Sequence, residues 1–383
     1  MAGGKDIPRR LKLQAGGVVF LQFVLGVPWA IHVFRAEGAS ATFFWIVGFT
    51  SAVAVSSAVF LSSLRENRAP HPPDAPIRPD LGLANTLTMM RSYAVSVLFA
   101  IALFPVQSPI LLWAPFVLYS VSITIDFVDG LVARITGRAS LLGETLEHEF
   151  DSIGLISATL VVAARGTLSW WFMLPALYRY LFMFAYWRRV SQGLPVVEPD
   201  NGGAGRVIAG LYWGYIATAL IPIFPVHLLR PGAAFFVVPL TGAFLRDWFI
   251  VTGRLVPGTG MHRLLSYIFR VYVFGWIPLA VRIASAGLII LLAQRLSGIP
   301  SVILILAAGG LTLGAMARTN AILSIAVLSL PVVYQGLGGA GLVQIVVALN
   351  CLIIVAGGGR FALARHEDIP FASRLGGGAK ASR

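Results

Sequence analysis

The chain has 383 residues, of which 57% are hydrophobic and 12% are charged, and its mean hydropathy is +0.82. Soluble globular domains carry charge on roughly a quarter of their residues, so this composition excludes that class and predicts an integral membrane protein. The formal net charge of +13 could suggest a nucleic-acid partner. In a polytopic chain, however, basic residues more often mark the cytoplasmic loops, so no nucleic acid is predicted.

Long apolar segments recur along the whole chain. A membrane-spanning helix needs about 20 mainly apolar residues. The sequence predicts about ten to twelve such helices, near residues 14–35, 40–62, 92–106, 109–133, 145–165, 168–187, 207–226, 233–252, 271–293, 299–317, 320–337 and 341–358. The expected fold class is therefore an all-α polytopic membrane protein.

The distribution of Lys and Arg predicts the orientation of these helices. If the N-terminus is cytoplasmic, the segments on the outer side hold only Arg35, Arg165, Arg230 and Arg295, and most other basic residues lie inside. Because cytoplasmic loops carry the excess of Lys and Arg, both termini are predicted to be cytoplasmic, in a bacterial inner membrane. The lone Cys351 excludes an intramolecular disulfide framework.

Two polar breaks predict the domain organisation. Residues 66–79 are rich in proline and charge, which end helices and predict a cytoplasmic linker. A basic stretch at 255–270 predicts a second cytoplasmic connector. These breaks leave three predicted membrane units. A two-helix N-terminal unit spans 1–65, a six-helix core spans 80–254, and a four-helix C-terminal unit with a basic tail spans 271–383.

Acidic residues are concentrated in one stretch, residues 126–151. On a helix, Asp126 and Asp129 are three residues apart and share a face, and Glu147 and Asp151 are four apart on the next predicted helix. A short polar segment separates the two helices. They are therefore predicted to be antiparallel neighbours, with the four carboxylates, and hence the active site, at the cytoplasmic side.

Converging carboxylates near a membrane repel one another unless a cation lies between them. Oxygen donors suit Mg²⁺, Mn²⁺ or Ca²⁺ better than zinc, which prefers Cys and His. Small residues at Gly130, Ala133 and Gly143 would let a ligand approach closely, and Arg134 and Arg138 could bind phosphate. Carboxylates, a divalent metal and arginine together predict phosphoryl transfer.

The motif D-x2-D-G-x2-A-R-x8-G-x3-E-x3-D, which runs from Asp126 to Asp151, resembles the signature of the CDP-alcohol phosphatidyltransferases. These are integral membrane enzymes with a six-helix core. The sequence differs at Glu147, where the family has a third Asp; glutamate keeps the charge but is one methylene longer. The segment "ANTLTMMR" at 84–91 is similar to the polar start of the family's first core helix. The resemblance covers about 80–254 and neither flank.

The resemblance also implies a reaction and roles for the residues. It implies Mg²⁺ or Mn²⁺ as cofactor, and transfer of a phosphatidyl or similar phospho-group from a CDP-linked donor to an alcohol, with release of CMP, in phospholipid synthesis. The implied metal ligands are Asp126, Asp129, Glu147 and Asp151, and Asp151 would also be the catalytic base. The implied CDP contacts are Asp126, Gly130, Ala133, Arg134 and Gly143.

Several questions stay open at this point. Arg138, Arg179 and Arg206 are candidates for binding the acceptor or a phosphate, because an arginine within an apolar run such as Arg179 is costly without a function or partner. Glycerol phosphate, inositol phosphate and serine are all acceptors to consider, and the family resemblance favours a homodimer among membrane lipids. Alternative interpretations are a secondary transporter, or a catalytically altered family member that acts as a membrane binding module.

Overall fold

The computed structural model describes residues 6–72, 74–194, 203–255, 275–337 and 341–363, together with 259, 260, 264 and 267; for residues 203–207 it describes the backbone only. The described residues form thirteen α-helices and no strand. The helices are α1 Arg9–Glu37, α2 Ala39–Ser62, α3 Gly82–Ile101, α4 Pro109–Ile135, α5 Leu141–Ala164, α6 Leu174–Ser191, α7 Gly203–Leu220, α8 Val226–Val251, α9 Ile277–Ala293, α10 Ile299–Leu313, α11 Ala317–Leu328, α12 Pro331–Gly336 and α13 Gly341–Ala356. Two short 3₁₀ helices occupy Leu64–Glu66 and Trp170–Met173.

Four of the described helices, α1, α2, α4 and α8, are long and apolar enough to cross a membrane. Within the described residues, five further apolar segments of 10 to 17 residues lie in α7, α9, α10, α11 and α13. The predicted class, an all-α polytopic membrane protein, is confirmed. The count of ten to twelve spans stays a prediction.

Some helix boundaries differ from the predicted windows for local reasons. The window 320–337 is divided into α11 and α12, because Pro331 has no backbone N–H and begins a new helix. The helix that contains the apolar window 92–106 begins at Gly82, so the polar segment 84–91 forms its first turns. α5 begins at Leu141 because the Ser140 side chain caps it.

The chain divides into two compact units. The first contains Met1–Gly166 and Ile216–Pro222, and the second contains Thr167–Tyr215 and Ile223–Arg383. The predicted boundaries of the core, of its two flanking units and of the linkers stay predictions.

α3 lies at the centre of the first unit, where it packs against α2, α4 and α5. One group of buried side chains joins α1, α2, α3 and α4 and includes Trp45, Phe49 and Ile101. A second group, which includes Met89 and Phe150, joins α1 and α2 to α3 and α5. As a result α3 is buried along most of its length, including its polar residues.

The N-terminal helices are joined to the rest of the first unit by polar contacts as well as by close packing. The buried amide of Gln22 on α1 donates to Met89 O and to Ser92 Oγ, both at 3.0 Å. A Cβ on Gly48 of α2 would lie 3.1 Å from Ala100 Cα, so this glycine lets the two backbones approach. Small residues and buried hydrogen bonds of this kind hold helices together in lipid, where apolar burial between helices contributes little.

In the second unit, α8 packs against α13, and α9, α10, α11 and α13 pack against one another in turn. The buried Arg282 on α9 donates from Nη1 to Gly358 O at 2.7 Å, just beyond the end of α13. Ser285 on α9 donates to Asn350 Oδ1 on α13 at 2.7 Å. These contacts give the intramembrane charge of Arg282 a structural partner.

Candidate active site

A tight reversal places α4 and α5 next to each other. α4 ends at Ile135, and Gly137 follows with a φ of +63°, a conformation that residues with a side chain adopt at a cost. Ser140 then caps α5, because its Oγ accepts a hydrogen bond from Gly143 N at 3.1 Å. The chain thus turns back within five residues, as the sequence predicts.

The third helix of the site is α3, which packs against both α4 and α5. The Arg91 guanidinium on α3 forms ion pairs with Asp126 on α4, through Nη1, and with Asp151 on α5, through Nη2. One turn earlier, Thr88 Oγ1 donates to Asp129 Oδ2 at 2.7 Å. Each predicted Asp therefore contacts a polar side chain of α3.

Burial differs among the four predicted carboxylates. The Arg91 side chain is only 4% exposed, and the side chains of Asp126 and Asp151 are 23% and 26% exposed. Asp129 is buried, whereas Glu147 is exposed. The structure thus brings Asp126 and Asp151 together at Arg91; the individual roles of the four carboxylates stay predictions.

The donor set fits a hard divalent cation, because it consists of carboxylate oxygens. Within the described residues, no three His, Cys, Asp or Glu side chains are arranged as a formed metal site. The positive charge between Asp126 and Asp151 is supplied by Arg91 instead. Binding of Mg²⁺ or Mn²⁺ by the four carboxylates stays a prediction, as does the choice between these ions.

The small residues of the motif have different surroundings. A Cβ on Gly143 would lie 3.0 Å from Asn85 Oδ1 and 3.4 Å from Ser140 Oγ, so this glycine makes room for the buried Asn85 of α3. A Cβ on Gly130 would lie 3.2 Å from Arg134 Nη1, so the exposed Arg134 side chain lies against this glycine. Contacts of Gly130, Gly143 and the half-buried Ala133 with CDP stay predictions.

Arg138 lies in the turn after α4 and borders a cavity of about 170 Å³ at the start of α3. Its guanidinium forms an ion pair with Asp80, and Arg78 Nη1 donates to Arg138 O at 2.5 Å. Partial burial, followed by the charge of Arg138, lowers the pKa of Arg78 from its usual value. Positive charge is therefore concentrated beside the start of α3, although binding of an acceptor by Arg138 stays a prediction.

The other two predicted arginines belong to the second unit. Arg179 lies on α6, and its Nε is buried. Arg206 falls on α7, but its side chain lies outside the described residues. The proposed binding of an acceptor or phosphate by Arg179 and Arg206 stays a prediction.

Sequence reasoning assigned no site role to α3. The available signal is the spacing Asn85-x2-Thr88-x2-Arg91, which puts these three polar residues on one side of the helix. Tyr119 was also missed. It lies seven residues before Asp126 on α4, and its hydroxyl is buried without a hydrogen-bond partner near the charges of Asp151 and Arg91.

Comparison with known proteins agrees with this site. Residues 81–244 match the sequence model described as CDP-alcohol phosphatidyltransferase. Three curated proteins, from Mycobacterium bovis and from two strains of Mycobacterium tuberculosis, are each described as "Putative cardiolipin synthase" and are 29% identical over 120 residues. The match covers 29% of this chain and 55% of each relative, so the chain spans about half the length of the curated relatives it matches.

No solved structure matches the chain significantly. The family match includes α3, α4 and α5, and therefore every residue of the acidic motif. It agrees with the family resemblance that the motif predicted and supports the predicted enzyme class. The likeness to CDP-alcohol phosphatidyltransferases therefore lies in residues 81–244, less than half of the chain.

Proposed function

We propose that the protein transfers a phosphatidyl or similar phospho-group from a CDP-linked donor to the hydroxyl of an alcohol and releases CMP. The observation that carries this proposal is the meeting of Asp126 and Asp151, from consecutive helices, at the buried Arg91 inside the family domain. The mycobacterial relatives, described as putative cardiolipin synthases, support a product that is a phospholipid.

The proposed reaction needs one proton acceptor and one leaving group. Asp151 takes the proton of the acceptor hydroxyl, whose oxygen forms a bond to the phosphorus of the transferred group. The bond between that phosphorus and the CMP oxygen breaks, and CMP leaves with the electron pair. A divalent cation bound by the carboxylates would neutralise charge on the pyrophosphate of the donor.

Other residues of the domain would place the donor. Arg134 is exposed at the end of α4 and can pair with a phosphate of CDP, while Gly130 beside it leaves room for the ligand. Asp129 is held by Thr88, which fixes its carboxylate relative to α3. The donor's acyl chains can remain in the bilayer while its charged head reaches the carboxylates.

The proposal includes an orientation in the membrane. We place both termini and the carboxylates on the cytoplasmic face of a bacterial inner membrane, because the basic residues favour that side. Anionic lipids there would attract each surface Lys or Arg by about 1 kcal/mol. A homodimer is proposed from the family resemblance alone.

The test is CMP release by the full-length protein purified into nanodiscs. CDP-diacylglycerol is supplied with Mg²⁺ or Mn²⁺ and with separate acceptors: glycerol phosphate, inositol phosphate, serine and phosphatidylglycerol. Asp151→Asn removes the proposed base. Glu149→Gln is the matched control, because it also neutralises one carboxylate of α5 but lies two residues away, on the other side of the helix.

We expect release with at least one acceptor, its loss in EDTA and in Asp151→Asn, and its retention in Glu149→Gln. The acceptor that gives product names the substrate. Folded protein that releases no CMP with any acceptor would contradict the proposed reaction. Equal loss in both variants would contradict the specific role of Asp151.

A further inference from the structure

Arg91 is placed as a fixed part of the acidic cluster, here meaning Asp126, Asp129, Glu147 and Asp151. It is 3% exposed, and its two terminal nitrogens pair with carboxylates from two different helices. Its Nε is buried without a hydrogen-bond partner. The guanidinium thus forms its hydrogen bonds through Nη1 and Nη2, to Asp126 and Asp151.

The surroundings of α3 hold this arginine in position. Met89 and Ser92, the neighbouring residues on α3, accept hydrogen bonds from Gln22 of α1. One turn before Arg91, Thr88 holds Asp129. α3 thus supplies a hydroxyl and a cation to the same cluster from a helix that is fixed on several sides.

The charges explain why such a cation is needed. Two carboxylates that face each other near the membrane repel, and removing one partner of a buried pair leaves an uncompensated charge. A divalent cation between Asp126 and Asp151 would supply the same compensation. Arg91 and that cation would then compete for the same oxygens, because both require the negative charge of these two residues.

We propose that Arg91 is the resting counter-ion of the acidic cluster: it holds Asp126 and Asp151 together before metal binds, and it is displaced from at least one of them when metal binds. Arg91 acts through the carboxylates and is a positioning residue. The metal part of this inference rests on the proposed function. The holding of the two carboxylates by Arg91 does not.

The first experiment measures thermal unfolding of the full-length protein in EDTA. Arg91→Gln removes the charge and keeps a side chain of moderate length. Arg65→Gln makes the same chemical change at an exposed position of the first unit and serves as control. We expect a lower unfolding temperature for Arg91→Gln in EDTA, recovery with Mn²⁺ that exceeds any stabilisation of the unchanged protein, and no shift for Arg65→Gln.

The second experiment measures Mn²⁺ affinity without substrate, by electron paramagnetic resonance of free Mn²⁺. Because no ion pair has to be broken, we expect Arg91→Gln to bind Mn²⁺ at least tenfold more tightly than the unchanged protein. Arg91→Lys keeps the charge but places all its donors on one nitrogen instead of two separated ones, so its affinity should be intermediate. Asp151→Asn should weaken binding, which places the bound ion at this cluster.

Equal or weaker Mn²⁺ binding by Arg91→Gln would overturn the competition. Absence of Mn²⁺ binding in every variant would overturn it as well. Unchanged unfolding in EDTA would overturn the holding role. If Arg91→Gln fails to fold, the Arg91→Lys comparison decides. None of these readouts uses CMP release, so failure of the proposed reaction remains distinguishable from failure of this inference.

Discussion

Replacing Thr88 with valine removes a hydroxyl that donates at 2.7 Å to Asp129 Oδ2, and it keeps the branched shape of the side chain. Thr88 and Asp129 are 4% and 7% exposed, so water cannot readily replace the lost donor. A hydrogen bond to a charged group contributes about 1.5–3 kcal/mol. We therefore expect Thr88→Val to lower the free energy of unfolding by about 2 kcal/mol.

At about 2–4 °C per kcal/mol, this corresponds to a fall in unfolding temperature of roughly 4–8 °C. The assay is tryptophan fluorescence during heating in detergent. Thr124→Val is the matched control, because its exposed hydroxyl donates only to Ser120 O within α4; its shift should stay within about 0.5 kcal/mol. Thr88→Ser should retain most of the stability. Equal shifts for Thr88→Val and Thr124→Val would refute the reasoning.

Two further substitutions test local features of the site by the same heating assay. Ser140→Ala removes the cap of α5 and should lower the free energy of unfolding by about 1 kcal/mol. Ser108→Ala is the control and should have little effect, because the Ser108 side chain makes no capping bond to α4. Equal effects of the two substitutions would contradict the capping role. Tyr119→Phe removes a buried hydroxyl without a partner and should leave stability unchanged or raise it by about 1 kcal/mol; a clear loss would show that the hydroxyl has a partner.

The sequence was sufficient to predict the pairing of α4 and α5. The spacing from Asp126 to Asp129 and from Glu147 to Asp151 indicates helix faces, and the short polar segment between them indicates a reversal. Both are local patterns, which depend on residues three to seven positions apart. The family resemblance extended this local prediction to the enzyme class.

The role of α3 could not be predicted in the same way. Arg91 is 35 residues from Asp126 and 60 from Asp151, so the ion pairs depend on which helices pack together. The sequence places the polar residues of α3 at the start of that helix but does not show what they contact. In the structure Thr88 is buried and donates to Asp129 of α4. The contacts of these residues therefore depend on long-range packing.

The enclosure of α3 bears on how a lipid would enter from the bilayer. α1 and α2 both pack against α3, and the hydrogen bonds of Gln22 join α1 to it. α4, by contrast, exposes Val117, Val121 and Val128 along its length. On the proposed function, a lipid donor diffusing within one leaflet would reach Asp126 with its acyl chains lying along α4. Preference for tail length or branching would then reside in that lipid-facing surface of α4.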